Sequence, residues 1–124
     1  MPDTLTIQEG LDKVMELDGA IGGAIVDFES GMTLGTTGGR QIDMELAGAG
    51  NTEVLRSEKN VLNDLNLNDN IQDILITLED QYHLIRMCER HENIFIYVII
   101  DRERGNLGLA RRKVDQLDEV LQLE

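Results

Sequence analysis

Residues 94 to 100 read IFIYVII, seven successive apolar residues rich in β-branched and aromatic side chains. The run is too short for a membrane span and has the composition of a strand. Because side chains alternate across a strand, one that is apolar at every position must be covered on both faces. Residues 21 to 28, IGGAIVDF, repeat this property. Two such segments require a sheet with layers on both sides, and they belong at its centre.

The rest of the chain supplies those layers. Thr6-Ile7-Gln8-Glu9 has the capping-box pattern, and Ile7, Leu11, Val14 and Met15 recur at helical spacing, which predicts a short amphipathic helix to about Leu17. The strand at 21 to 28 ends in the turn signal Glu29-Ser30-Gly31, and MTLGTT follows as the second arm of a hairpin. After Gly38-Gly39, Asp43 is the expected cap of a long helix to about Leu65, ended by the polar tract NLNDN. Three strands follow at 71 to 78, 82 to 88 and 94 to 101, joined by turns short enough to demand antiparallel pairing. Behind an Asn106 cap, Leu107, Ala110, Val114, Leu117 and Leu121 form one apolar stripe of a last helix. The order predicts a five-stranded antiparallel sheet with helices on both faces and the 71 to 78 strand at an edge.

Composition narrows the function. A chain of 124 residues that is 41% hydrophobic reads as a single domain over 1 to 124. Its net charge of -13 argues against nucleic acid as a partner; Arg102, Arg104, Arg111, Arg112 and Lys113 form one local basic cluster without aromatics, read as a solvated surface or protein contact. No apolar run approaches a membrane span and the N-terminus has no basic-then-apolar signal, so membrane insertion is not expected and a cytoplasmic location is. The single cysteine, Cys88, fits a reducing compartment.

None of the chemistry-bearing patterns is complete. Gly105-Asn106-Leu107-Gly108 precedes a helix, but it lacks the third glycine of a dinucleotide loop and the lysine of a P-loop. DLNLNDN begins like a calcium loop, yet Asp69 holds the glycine position and Leu75 the glutamate position. His83 and Cys88 fall on opposite faces of their strand, which separates them as ligands or as a catalytic pair and leaves surface histidines and a buried-edge cysteine as the default. Asp27 and Asp101 could approach only if their strands pair, and turn capping explains both. The reading is a non-catalytic protein with no cofactor and no metal site.

The long helix carries the remaining information. At about 100° per residue, Leu46, Gly50, Val54 and Val61 fall on one stripe, expected to pack on the sheet. Met44, Gly48, Leu55 and Leu62 fall on a second stripe most of a half-turn away. A helix on a sheet needs one apolar face, so the second stripe predicts another cover, most simply a second copy of the chain, with Met44, Gly48, Leu55 and Leu62 as the dimer interface. The small residues AGAG at 47 to 50 permit close approach.

GAIGGAIVDFESGMTLGTTGG, the long helix beginning with small residues, and IFIYVIIDRERGNLGLARRKV together resemble the roadblock/dynein light-chain family, in particular its stand-alone bacterial members. The resemblance runs from about residue 6 to 120. It implies an α+β, profilin-like three-layer α/β/α sandwich, with the long helix on one face of the five-stranded antiparallel sheet and the N- and C-terminal helices on the other. GNLGLAR then becomes a strand-to-helix junction, with Leu107 in the core and Gly108 allowing close packing. The resemblance further implies a homodimer in which long helices pair and edge strands join two sheets, and a role as a regulator of a Ras-like small GTPase, sometimes as a GTPase-activating protein. If the helices pair antiparallel, Glu53, Arg56, Lys59, Asn60 and Asn63 of both copies form one composite GTPase-binding face. Two other readings are a scaffold subunit of a motor, polarity or sensor-kinase complex and, least favoured at 3% aromatic content, a small-ligand sensor.

Overall fold

The computed structural model describes residues 4 to 123. In chain order it contains α1 (Ile7–Met15), β1 (Ala20–Asp27), β2 (Thr33–Gly38), α2 (Met44–Asp64), β3 (Asp73–Thr77), β4 (Gln81–Met87), β5 (Ile94–Asp101) and α3 (Leu107–Val120). The strands form one antiparallel sheet in the order β2-β1-β5-β4-β3. The two strands apolar on both faces are neighbours at its centre, and β3 is at an edge, as the hydrophobic pattern requires.

Local chemistry sets the helix starts. The Thr6 hydroxyl accepts from the Glu9 N–H while the Glu9 carboxylate accepts from the Thr6 N–H, closing the capping box at α1. Asp43 caps α2 by accepting from the Leu46 N–H, and Asn106 caps α3 by accepting from the Leu109 N–H. Element ends differ from the periodicity by about two residues: α1 stops at Met15 and β3 begins at Asp73.

The pleat divides the core in two. Ile25, Leu84, Ile96, Val98 and Ile100 point to the side where Leu11 and Val14 of α1 and Ala110, Val114 and Leu117 of α3 close over them. Ala24, Val26, Ile85, Phe95, Tyr97 and Ile99 point to the other side, where Met44 and Leu55 of α2 meet them. This is the three-layer α/β/α arrangement, with the long helix alone on its face.

At the β5–α3 junction, a Cβ on Gly105 would stand 2.0 Å from Ile100 Cγ2 and 2.6 Å from the Asp101 carbonyl, so the close approach of the chain there requires glycine. Gly108 is exposed, and a Cβ there would meet only Asn106 Oδ1, at 3.3 Å. Leu107 is half-buried. The stretch is a structural junction, as read, but neither residue has the close-packing role that the resemblance gave it.

Candidate functional site

The two stripes of α2 exchange the roles read from the sequence. Met44 (5% exposed) and Leu55 (0%) are buried in the core, and Gly48 is buried beside them. A Cβ on Gly48 would lie 2.8 Å from Thr33 Cγ2 and 3.1 Å from Val26 Cγ2, so glycine is what lets α2 settle on β1 and β2. Leu62 is half-buried further along. Three of the four residues expected at a dimer interface therefore hold the helix on its own sheet. The outer stripe is the one expected inside: Leu46 is 69% exposed, Val61 45% and Val54 39%. Two apolar stripes of similar length cannot be told apart by period alone, because period fixes their separation and not their phase against the sheet. The usable signal was Gly22 and Gly39, which clear the space that the Met44 side chain fills at the β2–α2 corner.

Gly50 lies on the outer stripe and a Cβ there would meet nothing within 4 Å. Within a helix it costs about 1 kcal/mol relative to alanine, and no contact among the described residues requires it. Beside this stripe runs a groove of about 1120 Å³ between α2 and β3, with Val54, Val61, Leu62, Leu67, Ile71 and Ile74 as its apolar lining. Its far wall is β3, which pairs with β4 on one side only and so presents unpaired backbone groups along the other. The apolar stripe, the groove and the open strand edge are contiguous.

The polar arc of α2 divides. Arg56 pairs with Glu53, and both Arg56 and Lys59 lie over the ring of Phe28, 5.7 and 4.4 Å from its centroid. Those two cations brace the helix against the end of β1. Glu53 and Asn60 are exposed near the crest of the helix, opposite its sheet-facing side, and Asn63 is exposed on the Phe28 flank. Since the outer stripe lies on the other flank, the five residues do not gather beside it; Glu53 alone of them also lines the groove.

The residues weighed for chemistry are engaged in structure. Asp27 accepts from the Glu29 N–H and Asp101 from the Glu103 N–H, each capping its own turn. In the sheet Asp27 stands opposite Ile94 and Asp101 opposite Gln81, so the two lie at different ends. Cys88 is half-buried on the α3 side, and burial, followed by the neighbouring Asp118, pushes its thiol pKa well up. His83 faces the α2 side, where its Nδ1 lies 2.7 Å from the Tyr97 hydroxyl, and His91 Nε2 lies 2.9 Å from the Leu121 carbonyl. Neither histidine is the free surface group the sequence suggested, and nothing in the spacing of β4 and β5 residues marked the Tyr97 contact in advance. Of the basic cluster, Arg102 spans to the Leu78 carbonyl and the Tyr82 ring, Arg104 to Asp101 and Arg111 to Asp73. Among the described residues no helix is long and apolar enough to cross a membrane.

No protein-family model and no curated protein sequence matches the chain. Solved structures do. MglB of Myxococcus xanthus superposes with a TM-score of 0.78 at 16% identity, covering 91% of this chain and 82% of that one. The gliding protein MglB from Thermus thermophilus gives 0.75 at 14% identity, over 92% and 84%. A Roadblock/LC7 domain from Streptomyces avermitilis gives 0.75 at 8% identity, over 87% of each chain. The likeness is one of architecture over nearly the whole length, and it bears out the resemblance seen in the sequence at that level: this chain has the roadblock fold.

Proposed function

We propose that the chain is a non-catalytic homodimer that binds a Ras-like small GTPase and modulates its nucleotide cycle. The observation that carries the dimer is the contiguous outer face of α2 and β3. Leu46, Val54 and Val61 are exposed, a Cβ on Gly50 would meet nothing within 4 Å, and the β3 edge of the sheet is unpaired. A second copy related by a two-fold axis covers all three at once, because such an interface is self-complementary. Gly50 then admits close approach of the partner helix, and β3 pairs with its symmetry mate. The GTPase reading comes from the roadblock resemblance of the sequence and is supported by the shared fold.

With the outer stripes pairing, the crests of the two helices lie side by side. Glu53 and Asn60 of both copies form the centre of the GTPase-binding face, while Arg56, Lys59 and Asn63 stand at its margins. One GTPase then sits across the axis, two chains to one. Any stimulation of hydrolysis arises from rearranging the GTPase's own residues. The exposed Arg40, in the β2–α2 loop, is the candidate to exclude, since an inserted arginine supplies about a thousandfold or more.

The test uses P-loop GTPases encoded beside this chain's gene, loaded with a GTP analogue or with GDP, in capture and single-turnover assays. The expected result is two chains per GTPase, capture weakened by Glu53→Arg and Asn60→Arg with the dimer intact, and stimulation reduced only a few-fold by Arg40→Ala. A thousandfold loss with Arg40→Ala would replace the mechanism. Capture with no change in hydrolysis or nucleotide exchange would favour the scaffold reading.

A further inference from the structure

Tyr97 is buried in the middle of the α2-side core, yet it carries a hydroxyl. That hydroxyl lies 2.7 Å from His83 Nδ1, and His83 Nε2 lies 2.9 Å from Gln81 Oε1. The amide oxygen can only accept, so Nε2 carries the ring proton and Nδ1 offers its lone pair to the phenol. The neutral imidazole satisfies both ring nitrogens while the phenolic hydrogen is held by Nδ1. A second proton, on Nδ1, reverses that bond, so that Nδ1–H donates to the phenolic oxygen and the phenolic hydrogen must turn away from the ring into the core. The other polar side chain at the hydroxyl is Asn51 of α2, whose amide already donates to the Ala47 carbonyl at 2.7 Å.

Charge around the ring is sparse. On β5 the α2-facing positions are Phe95, Tyr97, Ile99 and Asp101, and the Asp101 carboxylate is held by Arg104 and by the Glu103 N–H. On β3 they are Ile74 and Ile76, and the buried residues of α2 are Met44, Gly48, Asn51, Thr52 and Leu55, none of them charged. On β4 itself they are Gln81, Ile85 and Met87. Glu53 and Glu58 of α2 line the groove with Ile74, and Glu79 and Asp80 are exposed in the β3–β4 turn. Among the described residues none of these carboxylates bonds the ring, whose partners are Tyr97 and Gln81, and burial lowers the His83 pKa from its ordinary value.

In the sheet His83 stands opposite Ile76 of the edge strand, where the α2 layer leaves the surface half-buried. It adjoins the face assigned above to the second copy. We propose that His83, wired through Tyr97 to α2, is an acid-sensitive latch on that face: the neutral ring permits the second copy to seat, and the protonated ring releases it. The inference rests on the homodimer reading.

The sign follows from linkage. The folded-state pKa is lowered, so the contribution of this ring is complete above the unfolded value near 6.5 and is lost as pH falls through the folded one. Seating the second copy removes more water from the ring and lowers the value further. Dissociation then takes up one proton per copy, and the dimer Kd rises by up to about a hundredfold per pH unit for the pair.

Sedimentation across a concentration series between pH 8 and pH 5.5 tests this on the wild-type chain, His83→Gln and His91→Gln, which together address both histidines of the sequence. The expected result is a Kd that climbs at least tenfold toward pH 5.5 in the wild type and in His91→Gln, and stays level in His83→Gln. Histidine C2 proton titration by NMR gives a readout independent of the variants, with a lower His83 midpoint in concentrated than in dilute wild-type protein. A wild-type chain that is monomeric at pH 8 overturns the dimer reading and the latch with it. A dimer whose Kd is level with pH, or rises equally in His83→Gln, or a His83 midpoint independent of concentration, overturns the latch and leaves the dimer standing.

Discussion

The two faces of the sheet are finished to different degrees. Over the α1 and α3 side, two helices close on one core, and charged side chains at its rim tie α3 to the strands and turn beneath it. The buried Asp118 accepts from the N–H groups of Glu89 at 2.7 Å and Arg90 at 3.3 Å, fixing the β4–β5 turn to α3. Arg86 reaches Asp115 and Arg111 reaches Asp73, each at 3.1 Å, tying α3 to the strands beneath it. Over the other side a single helix settles on β1 and β2, leaves Ile74, Ile76 and His83 half-buried, and turns Leu46, Val54 and Val61 outward. One layer completes itself with its own side chains, while the other retains apolar surface contiguous with an open strand edge. In a chain of this charge that surface is where a partner has something to bury.

The contrast breaks first on the α2 stripes. Leu55→Ala empties a fully buried site and is expected to cost about 2–5 kcal/mol in urea denaturation, whereas Val54→Ala at protein concentrations low enough to hold the monomer costs about 0.5 kcal/mol or less. The reverse order would restore the stripe assignment made from periodicity. On the completed face, Asp118→Ala leaves two backbone N–H groups without their acceptor, with an expected loss of about 1–3 kcal/mol by the same measurement. A loss within error would show that the turn closes without α3.

The two helical glycines give smaller, opposite effects. Gly48→Ala forces a Cβ against Thr33 and Val26 and lowers monomer stability, while Gly50→Ala enters open space and raises it by up to about 1 kcal/mol. Under the homodimer proposal the Gly50→Ala gain is offset by weaker association, visible as a higher dimer Kd. A Gly50→Ala chain that associates as well as the wild type would remove the close helix approach from the proposed interface.

Strand identity and order were legible because they depend on which segments are apolar on both faces, and IFIYVII and IGGAIVDF admit one placement. Capping was legible for the same kind of local reason: Thr6, Asp43 and Asn106 each act on an N–H within three residues. The phase of α2 was not, since Met44, Gly48 and Leu55 compete with Leu46, Gly50 and Val54 for one sheet. The choice falls to Gly22 on β1, distant from the helix in sequence, and to Gly39 in the turn just before it, whose part in seating Met44 shows only once the strands are in place. The His83 to Tyr97 bond was illegible for a related reason. It joins strands whose register is set by turns, and a residue's neighbour across a sheet is not written in its own segment.

The homodimer is tested most directly by molar mass in sedimentation equilibrium at micromolar concentration and pH 8, comparing the wild type with Val54→Glu. The account predicts twice the chain mass for the wild type. For Val54→Glu it predicts the mass of one chain with an unchanged far-ultraviolet dichroism spectrum, because the new carboxylate is solvated in the monomer and buried without a partner in the dimer. A wild type at the mass of one chain, or a Val54→Glu variant still at twice that mass, would contradict it.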